Sequence, residues 1–561
     1  MKKIYNILLV SILLMASSCS DFLDIKPNGV LDESDINGPD QADGMVVAAY
    51  SMLGNDHYDY PWSMWPFGNV RSDDAYKGGR DEADIQDFHF LETCSNILPT
   101  FSSPDIFWYQ CYIGIARCNR AINILSALSE TEYPKRNQRI AECLFLRGHF
   151  YFQLKIMFKY VPYINNEEEI NNYAKISNRQ YSNDELWGKI AGDFKAAFDV
   201  LPETQSDLGR PDRHAAAAYL AKTYLYKAFR QDEQHNVTEV NAGDLEQVLT
   251  YTNDVLGSDY RLEEDYAYNF LPGKYENGKE SIWAVQYSLD DGTKFGRLNF
   301  SDVLNVPMKF TGSCDFHKPS QNLVNAFKTT DGLPQFGAFN KMDYNEDNDK
   351  VDPRLYHTVA LLGKPYKYDA SAIFAEDWSR SPAVYGYYSS LKENVALNDP
   401  HSVLLDPFRG NSKNRIVIRY ADIVLMRAEA LIELNREKEA MPLINEVRSR
   451  AKQSMTMIGY AGNANIALYE DGVNCTWNNN FARQALRFER RLELAMEGSR
   501  FFDLVRWGIA GEVMDTYYTE EAPKRTYYRG VKFQKNKAEY LPIPQNQVNF
   551  SKKLYQQNYN Y

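Results

Sequence analysis

The sequence predicts a mainly α protein: a superhelix of stacked helical hairpins, interrupted by a long, irregular, loop-rich region that contains only short strands. Three observations predict it. Apolar residues recur at helical spacing over much of the chain. One pair of such segments, within Tyr420–Lys452, is separated only by the short polar stretch Asn435-Arg436-Glu437. Residues 260–410, by contrast, are loaded with Gly, Pro, Asp, Asn and aromatic residues and lack that period.

In the Tyr420–Lys452 pair, Ala421, Val424, Leu425, Ala428 and Ile432 form one apolar stripe, and Ala440, Leu443, Ile444, Val447 and Ala451 a second. A turn this tight forces the helices antiparallel. Ala428 and Ala440 stand where a tetratricopeptide repeat has small residues that let its helices approach. Further helices are expected over Asp105–Leu128 and over Gln138–Phe158, the latter ending before Val161-Pro162. Ser182-Asn183-Asp184-Glu185 supplies caps for a helix through Val200 that Pro202 stops, and the alanine-rich run His214–Phe229 can pair with Leu245–Leu256. One such hairpin cannot cover its own apolar face, so the units are expected to stack. Ser281–Tyr287 is the best strand candidate, and residues 54–104 form a second irregular stretch. The organisation expected is a leader (1–18), a helical region (19–259) containing the loop segment 54–104, a loop-rich ligand-binding region (260–410) and a helical region completing the scaffold (411–561).

Lys2 and Lys3, the apolar run Ile4–Met15 and the small residues Ala16-Ser17-Ser18 precede Cys19. This is the layout of a secretory signal, and its apolar run is shorter than the roughly 20 residues that span a bilayer. Small residues directly before a cysteine resemble the lipobox of bacterial lipoproteins, which implies acylation, such as palmitoylation, of Cys19. The formal net charge is −13, and removing the leader takes away two lysines, which argues against nucleic acid or anionic lipid as main partner. The other cysteines (Cys94, Cys111, Cys118, Cys143, Cys314, Cys475) form no C-x-x-C pair; Cys111 and Cys118, seven apart on a helix, read as core residues.

Six segments in order resemble the SusD/RagB lipoproteins of glycan-foraging Gram-negative bacteria. They are Cys19–Pro27; Gly68–Asp74; Ala141–Phe152 with Val161-Pro162; Arg419–Ala430; Glu489–Arg500 with Asp503–Trp507; and Tyr540–Pro544. The end, Gln557–Tyr561, departs from the family's usual Asn-Pro-Gly-Tyr. The resemblance implies a non-enzymatic lipoprotein at the cell surface, anchored in the outer membrane, that binds oligosaccharide and delivers it to a SusC-like TonB-dependent transporter. A RagB-like peptide-binding accessory is the alternative, and a lipoprotein hydrolase a third reading.

Sugar recognition needs an aromatic face to stack on a pyranose and polar side chains to bond its hydroxyls. Two loop stretches supply both. The first holds Trp62, Trp65, Phe67, Asn69, Asp73, Asp74, Tyr76 and Arg80; the second holds Trp283, Tyr287, Phe295, Phe316 and His317. Trp65, Asp73, Tyr76 and Arg80 lead as candidates because their surroundings are polar and glycine-rich. Glu489, Glu493 and Glu497 could suggest paired glycosidase acids, but arginines lie within a helical turn of each, so an ion-pair lattice is expected. His149, among Phe150, Tyr151 and Phe152, reads as a packed histidine, and no H-E-x-x-H, G-x-S-x-G or P-loop motif occurs. No cofactor is implied: Asp343, Asn345, Asp347 and Asp349 alternate as structural-calcium ligands do, but the usual glycine and glutamate are Asn348 and Arg354, so a solvated acidic loop is the favoured reading over a calcium site. The turn Asp290-Asp291-Gly292 carries the same ambiguity.

Overall fold

Helical periodicity becomes helix wherever the sequence carries it. The computed structural model describes residues 38–289, 291, 297–460 and 462–561; the leader, Cys19 and Phe295 lie outside the described residues, as do Asp290 and Gly292. The principal helices are α1 (Pro39–Tyr50), α2 (Gln86–Glu92), α3 (Ser102–Ala127), α4 (Arg136–Phe158), α5 (Asn183–Phe198), α6 (Arg213–Ala228) and α7 (Ala242–Leu256), then α8 (Tyr420–Glu433), α9 (Glu437–Gln453), α10 (Asn479–Glu493), α11 (Arg500–Arg506) and α12 (Ala510–Glu521). Ser182 opens α5 with a full capping box: its side chain accepts from Glu185 N and the Glu185 side chain accepts from Ser182 N. Asp212 and Asn241 cap α6 and α7 in the same sense. None of the described helices is long and apolar enough to cross a membrane.

Each helix packs on the next: α3 on α4, α4 on α5, α5 on α6, α6 on α7, α7 on α8, and α8 on both α9 and α10. Small residues at the contacts make this possible. A β-carbon at Gly114 of α3 would meet the Phe150 ring of α4 at 2.5 Å, and one at Gly148 would meet Phe194 of α5 at 2.9 Å. Ala428 and Ala440 are fully buried between α8 and α9. One apolar core runs through the array, from Ala42 to Tyr555. Cys111 and Cys118 lie in it; every cysteine among the described residues is a free thiol. His149 is also buried, its Nδ1 2.6 Å from Tyr219 Oη, and burial presses its pKa down to about 3.

The α7–α8 contact spans the irregular excursion between them. Strand β2 (Ser281–Val285) pairs antiparallel with β6 (Arg415–Arg419), Ser281 opposite Arg419 and Val285 opposite Arg415, so the excursion begins and ends side by side. Within it, β3 (Phe316–Pro319) pairs with β1 (Ala75–Gly78) from the earlier loop segment, and β4 (Ser402–Leu405) forms a hairpin with β5 (Phe408–Asn411). A second, small core of Val306, Phe310, Tyr366, Phe374 and Trp378 forms within the excursion.

The carboxyl-terminal acids form an ion-pair lattice, with two differences: Glu489, Glu493 and Glu497 pair with cations of other elements and not with the arginines within a helical turn of them, and Glu497 is off the helix. Helix α10 stops at Glu493, and Met496 and Gly498 take positive φ, so Glu497 lies beyond the helix. Arg354 pairs with Asp352 (2.7 Å), Glu489 (2.7 Å) and Glu493 (2.9 Å). Arg419 reaches Glu280, Glu493 and Glu497; Arg450 reaches Glu280 and Glu493; Arg448 reaches Glu489. Lys392 completes the set on Glu497 (2.6 Å). Burial alone would raise the Glu493 pKa, but Arg450, Arg419 and Arg354 outweigh it and hold the carboxyl far below its usual range.

Removing one member strands the others, and breaking a buried pair costs about 3–5 kcal/mol. Glu493→Gln should therefore lower the urea midpoint and the melting temperature by that equivalent. Because the folded pKa is depressed, the stabilisation is complete above the unfolded glutamate value of about 4.3 and fades as pH falls below it. Acid titration of stability should be shallower in Glu493→Gln than in the wild type; equal stability and equal slope would contradict the lattice.

Candidate functional site

The predicted ligand residues divide by burial. Trp62 packs its ring on Phe107 and Phe150, and its backbone N donates to Ser301 Oγ (2.9 Å). Trp65, 1 % exposed, meets Phe88 and Phe316 edge-on while its Nε1 donates to Ser301 O (3.0 Å). Asn69 Oδ1 accepts from Gly498 N (2.7 Å). Asp73 accepts from Arg500 Nε (2.9 Å) and lies 3.1 Å from Arg491 Nη2, while Asp74 takes Arg491 Nε (2.9 Å). Burial pushes the Asp73 pKa up, yet Arg491 and Arg500 pull it down further. Tyr76 Oη donates to Glu521 (2.5 Å) and accepts from Gln321 N (3.0 Å). Phe316 is buried in β3, and Tyr287 Oη donates to Asp56 (2.6 Å). Trp283 and His317 are buried too, bonded to Gly209 O and Glu393.

A stacking platform needs a face exposed to solvent, and these rings are buried. Trp62, Trp65, Asn69, Asp73, Tyr76, Tyr287 and Phe316 are thus corrected from ligand contacts to framework. The glycine-rich surroundings that suggested a surface loop are close backbone packing: the chain from Trp65 to Val70 makes a π-helical turn, and a β-carbon on Gly68 would lie 1.8 Å from Gly498 O. Trp62, Trp65 and His317 do border a partly open pocket of about 140 Å³, together with Lys392, Lys413 and Glu497. It has room for several waters.

Arg80 alone of the described candidates is exposed. Gly78 and Gly79, both with φ +80°, turn the chain out of β1. Asp84 then accepts from Arg80 N (2.9 Å) and Asp81 from Arg80 Nε (2.9 Å). Arg380 reaches the same Asp84 carboxylate (3.3 Å) and the carbonyl of Cys314 (3.4 Å), and Ser381 Oγ donates to Arg80 O.

Next to this charged corner lies a row of half-open rings that the sequence reading missed. His57 stacks on Phe300 (centroids 6.4 Å apart, planes 9° apart) and on Tyr60, and Tyr58 meets Phe408 of β5 edge-on (5.1 Å). All five rings are partly exposed. Strand β5 ties the two halves together: Arg409 N donates to Gly312 O (3.0 Å), two residues before Cys314, whose carbonyl Arg380 holds. Arg409 flanks Phe408, braced on Thr311 O and Ser402 Oγ (both 3.0 Å). The signal for the row was present in His57-Tyr58-Asp59-Tyr60, rings with polar tips beside an acid. Its partners Phe300 and Phe408 stand more than two hundred residues away in sequence.

The calcium candidates are also corrected. Asp343 pairs with Lys524 (2.7 Å), Asp349 accepts from Asn345 N (2.8 Å) and Asn345 Oδ1 accepts from Asp347 N (2.9 Å). The oxygens close a local turn and do not converge. Among the described residues no group of three or more His, Cys, Asp or Glu side chains is placed to hold a metal.

Comparison with known proteins agrees with this architecture. The SusD family profile matches residues 279–561, and a second, described as starch-binding associating with outer membrane, matches residues 21–225. The SusD-like protein P38 of Formosa agariphila is 25% identical over 92% of this chain and 94% of its own. A laminarin-binding SusD-like protein superposes with a TM-score of 0.68 at 24% identity, covering 94% of this chain and 100% of that one. Surface glycan-binding protein A from Bacteroides thetaiotaomicron, in complex with laminarihexaose, superposes at 0.66 with 20% identity, covering 93% and 99%.

Trp65→Ala should cost about 3–5 kcal/mol, as removal of a buried large ring does, whereas Tyr58→Ala should stay within about 1 kcal/mol. Thermal and urea denaturation of the two variants check this; an unchanged Trp65→Ala would contradict its burial.

Proposed function

The chain belongs to the SusD family, and from that premise we propose that it binds oligosaccharide on the strip formed by His57, Tyr58, Tyr60, Phe300 and Phe408 with Arg80, Asp81, Asp84 and Arg380. One observation carries the reading: partly exposed rings pack on one another, and the strand bearing Phe408 is hydrogen-bonded through Arg409 N to Gly312 O (3.0 Å), two residues before the Cys314 carbonyl that Arg380 holds. A pyranose offers a C–H face to the rings and hydroxyls that both donate and accept. Guanidinium and carboxylate groups held in place lose little freedom on binding, which favours affinity. The names of the laminarin-binding and laminarihexaose-bound neighbours support carbohydrate as the ligand class.

Binding without catalysis fits the same surface. Asp81 is engaged by Arg80, whose hydrogen bond holds its carboxyl below the usual range, the opposite of the raised pKa that a glycosidase acid requires. We assign the wider role accordingly: a lipoprotein anchored through Cys19, facing outward from the outer membrane, that passes glycan to a SusC-like TonB-dependent transporter. The outer-membrane description of the matching family supports the location. The leader's charged start, short apolar run and small residues before Cys19 support the anchor.

Calorimetric titration with laminarihexaose, alongside other neutral oligosaccharides and a panel of peptides, tests the reading. Tyr58→Ala and Phe408→Ala should each weaken the oligosaccharide that binds by about tenfold, equivalent to about 1.4 kcal/mol. Unchanged affinity in both variants would remove the strip from the site, and binding of peptides alone would replace the carbohydrate reading.

A further inference from the structure

Between α4, α6, β6 and the turn that joins α10 to α11 lies the partly open pocket of about 140 Å³. Gln153 of α4, Tyr226 of α6, Val417 of β6 and Glu497 of the turn border it, and the last three are partly exposed, so it communicates with solvent. Three buried polar atoms of its lining residues have no hydrogen-bond partner among the described residues: Gln153 Oε1, Asn299 Oδ1 and His317 Nε2. Those residues are 8 %, 2 % and 1 % exposed. Buried polar groups are as a rule paired, and three unpaired ones from separate stretches of chain, meeting at one pocket, call for a guest that supplies their partners.

All three are acceptors. His317 Nδ1 lies 2.7 Å from Glu393 Oε1; a carboxylate accepts, so Nδ1 carries the proton and Nε2 of the neutral ring is left with a lone pair. Asn299 Nδ2 donates to Asp302 Oδ2 (2.6 Å), which leaves its Oδ1 unmet. The acids at the pocket are already matched: Glu393 by His317, Asp302 by Asn299 and Ser63 Oγ, and Glu497 by Lys392 (2.6 Å). Lys413, 7 % exposed, brings a donor, and among the described residues its ammonium forms no ion pair; Asp302 and Glu393 face it from further away. Three acceptors repel an anion, and Lys392 and Lys413 repel a metal ion. A hydroxyl suits both sides, donating to the acceptors and accepting from the ammonium. Tyr226, Phe270 and Phe502 add ring surface for C–H groups.

We propose that this pocket binds one neutral polyhydroxyl molecule of monosaccharide size, its hydroxyls donating to Gln153, Asn299 and His317 and accepting from Lys413. The volume is on the scale of a single sugar ring and too small for a chain. The site is separate from the ring strip, since none of His57, Tyr58, Tyr60, Phe300 and Phe408 borders it. It therefore goes beyond the strip reading and stands or falls apart from it.

Saturation-transfer NMR and calorimetry of the full chain with glucose, galactose, mannose and xylose, and with sodium sulfate as the anion control, test the proposal. At least one of the four sugars should bind saturably at a single site, and sulfate should not. Gln153→Leu, similar in size but without the acceptor, should weaken that sugar by about tenfold, the scale of one hydrogen bond. It should leave the melting temperature of the free protein unlowered, because Gln153 Oε1 has no partner to lose. Lys413→Met should weaken the same sugar and keeps the test open if Gln153→Leu does not fold. Tyr58→Ala should leave monosaccharide affinity unchanged. No saturable binding by any of the four, as a pocket holding water alone gives, would overturn the proposal, and so would binding of sulfate in their place. Sugar binding lost in Tyr58→Ala but kept in Gln153→Leu would put the monosaccharide on the strip, overturning the pocket while leaving the strip reading intact.

Discussion

The structure depends on charge buried along one short stretch of α10. Glu489, Arg490, Arg491 and Glu493 leave the helix in three directions. The two glutamates meet Arg354 from the excursion, Arg419 from β6, and Arg448 and Arg450 from α9. Arg490 meets Asp422 of α8 and Asp503 of α11. Arg491 meets Asp73 and Asp74 beside β1. Ion pairs this deep contribute uncertain net stability, because taking each charge out of water is costly. Their effect is to specify position: a carboxylate between three guanidinium groups has few alternative places to sit. A strand or loop carrying one of these partners is fixed relative to the helices by charge as well as by its apolar contacts.

That constraint explains how an irregular excursion can carry a site. Asp73 and Asp74 anchor the chain just before β1; β1 pairs with β3; the glycines after β1 deliver Arg80 and Asp84 to the surface. On the other side, Glu280 and Arg419 share an ion pair at the end of the β2–β6 ladder, so Tyr287 and the segment leading to Phe300 start from a fixed base. Asp56 then links that segment to the ring-bearing one. The strip is loop in conformation but framework-fixed in placement, which is the arrangement binding surfaces commonly use.

The scaffold was legible because its signal is local. Periodicity, the capping box at Ser182 and the stops at Pro162 and Pro202 all act within a few residues, and the observed α3 to α9 start and end within a turn of the expected positions. The site was less legible because exposure is not local. Trp65 and Tyr58 are both loop aromatics in polar sequence; only contacts with Phe88, Phe316 and Ser301 bury the first, and only the absence of such cover leaves the second open. Asp73 looked like a sugar ligand and Asp343 like a calcium ligand for the same reason: the cations that engage them, Arg500 and Lys524, lie far along the chain. Arg80 stands in the same polar, glycine-rich surroundings that misplace Trp65, Asp73 and Tyr76, and only at Gly78 and Gly79 do the glycines turn the chain outward.

The proposed glycan site is an open row of rings whose supports are buried and charge-fixed. Crystals soaked with a neutral oligosaccharide shown to bind in solution measure it most directly. Intact sugar should appear against Tyr58 and Phe408, with hydroxyls within hydrogen-bonding distance of Arg80 or Arg380, and the buried ion pairs should be unmoved. Sugar located on another face, or found cleaved, would contradict it.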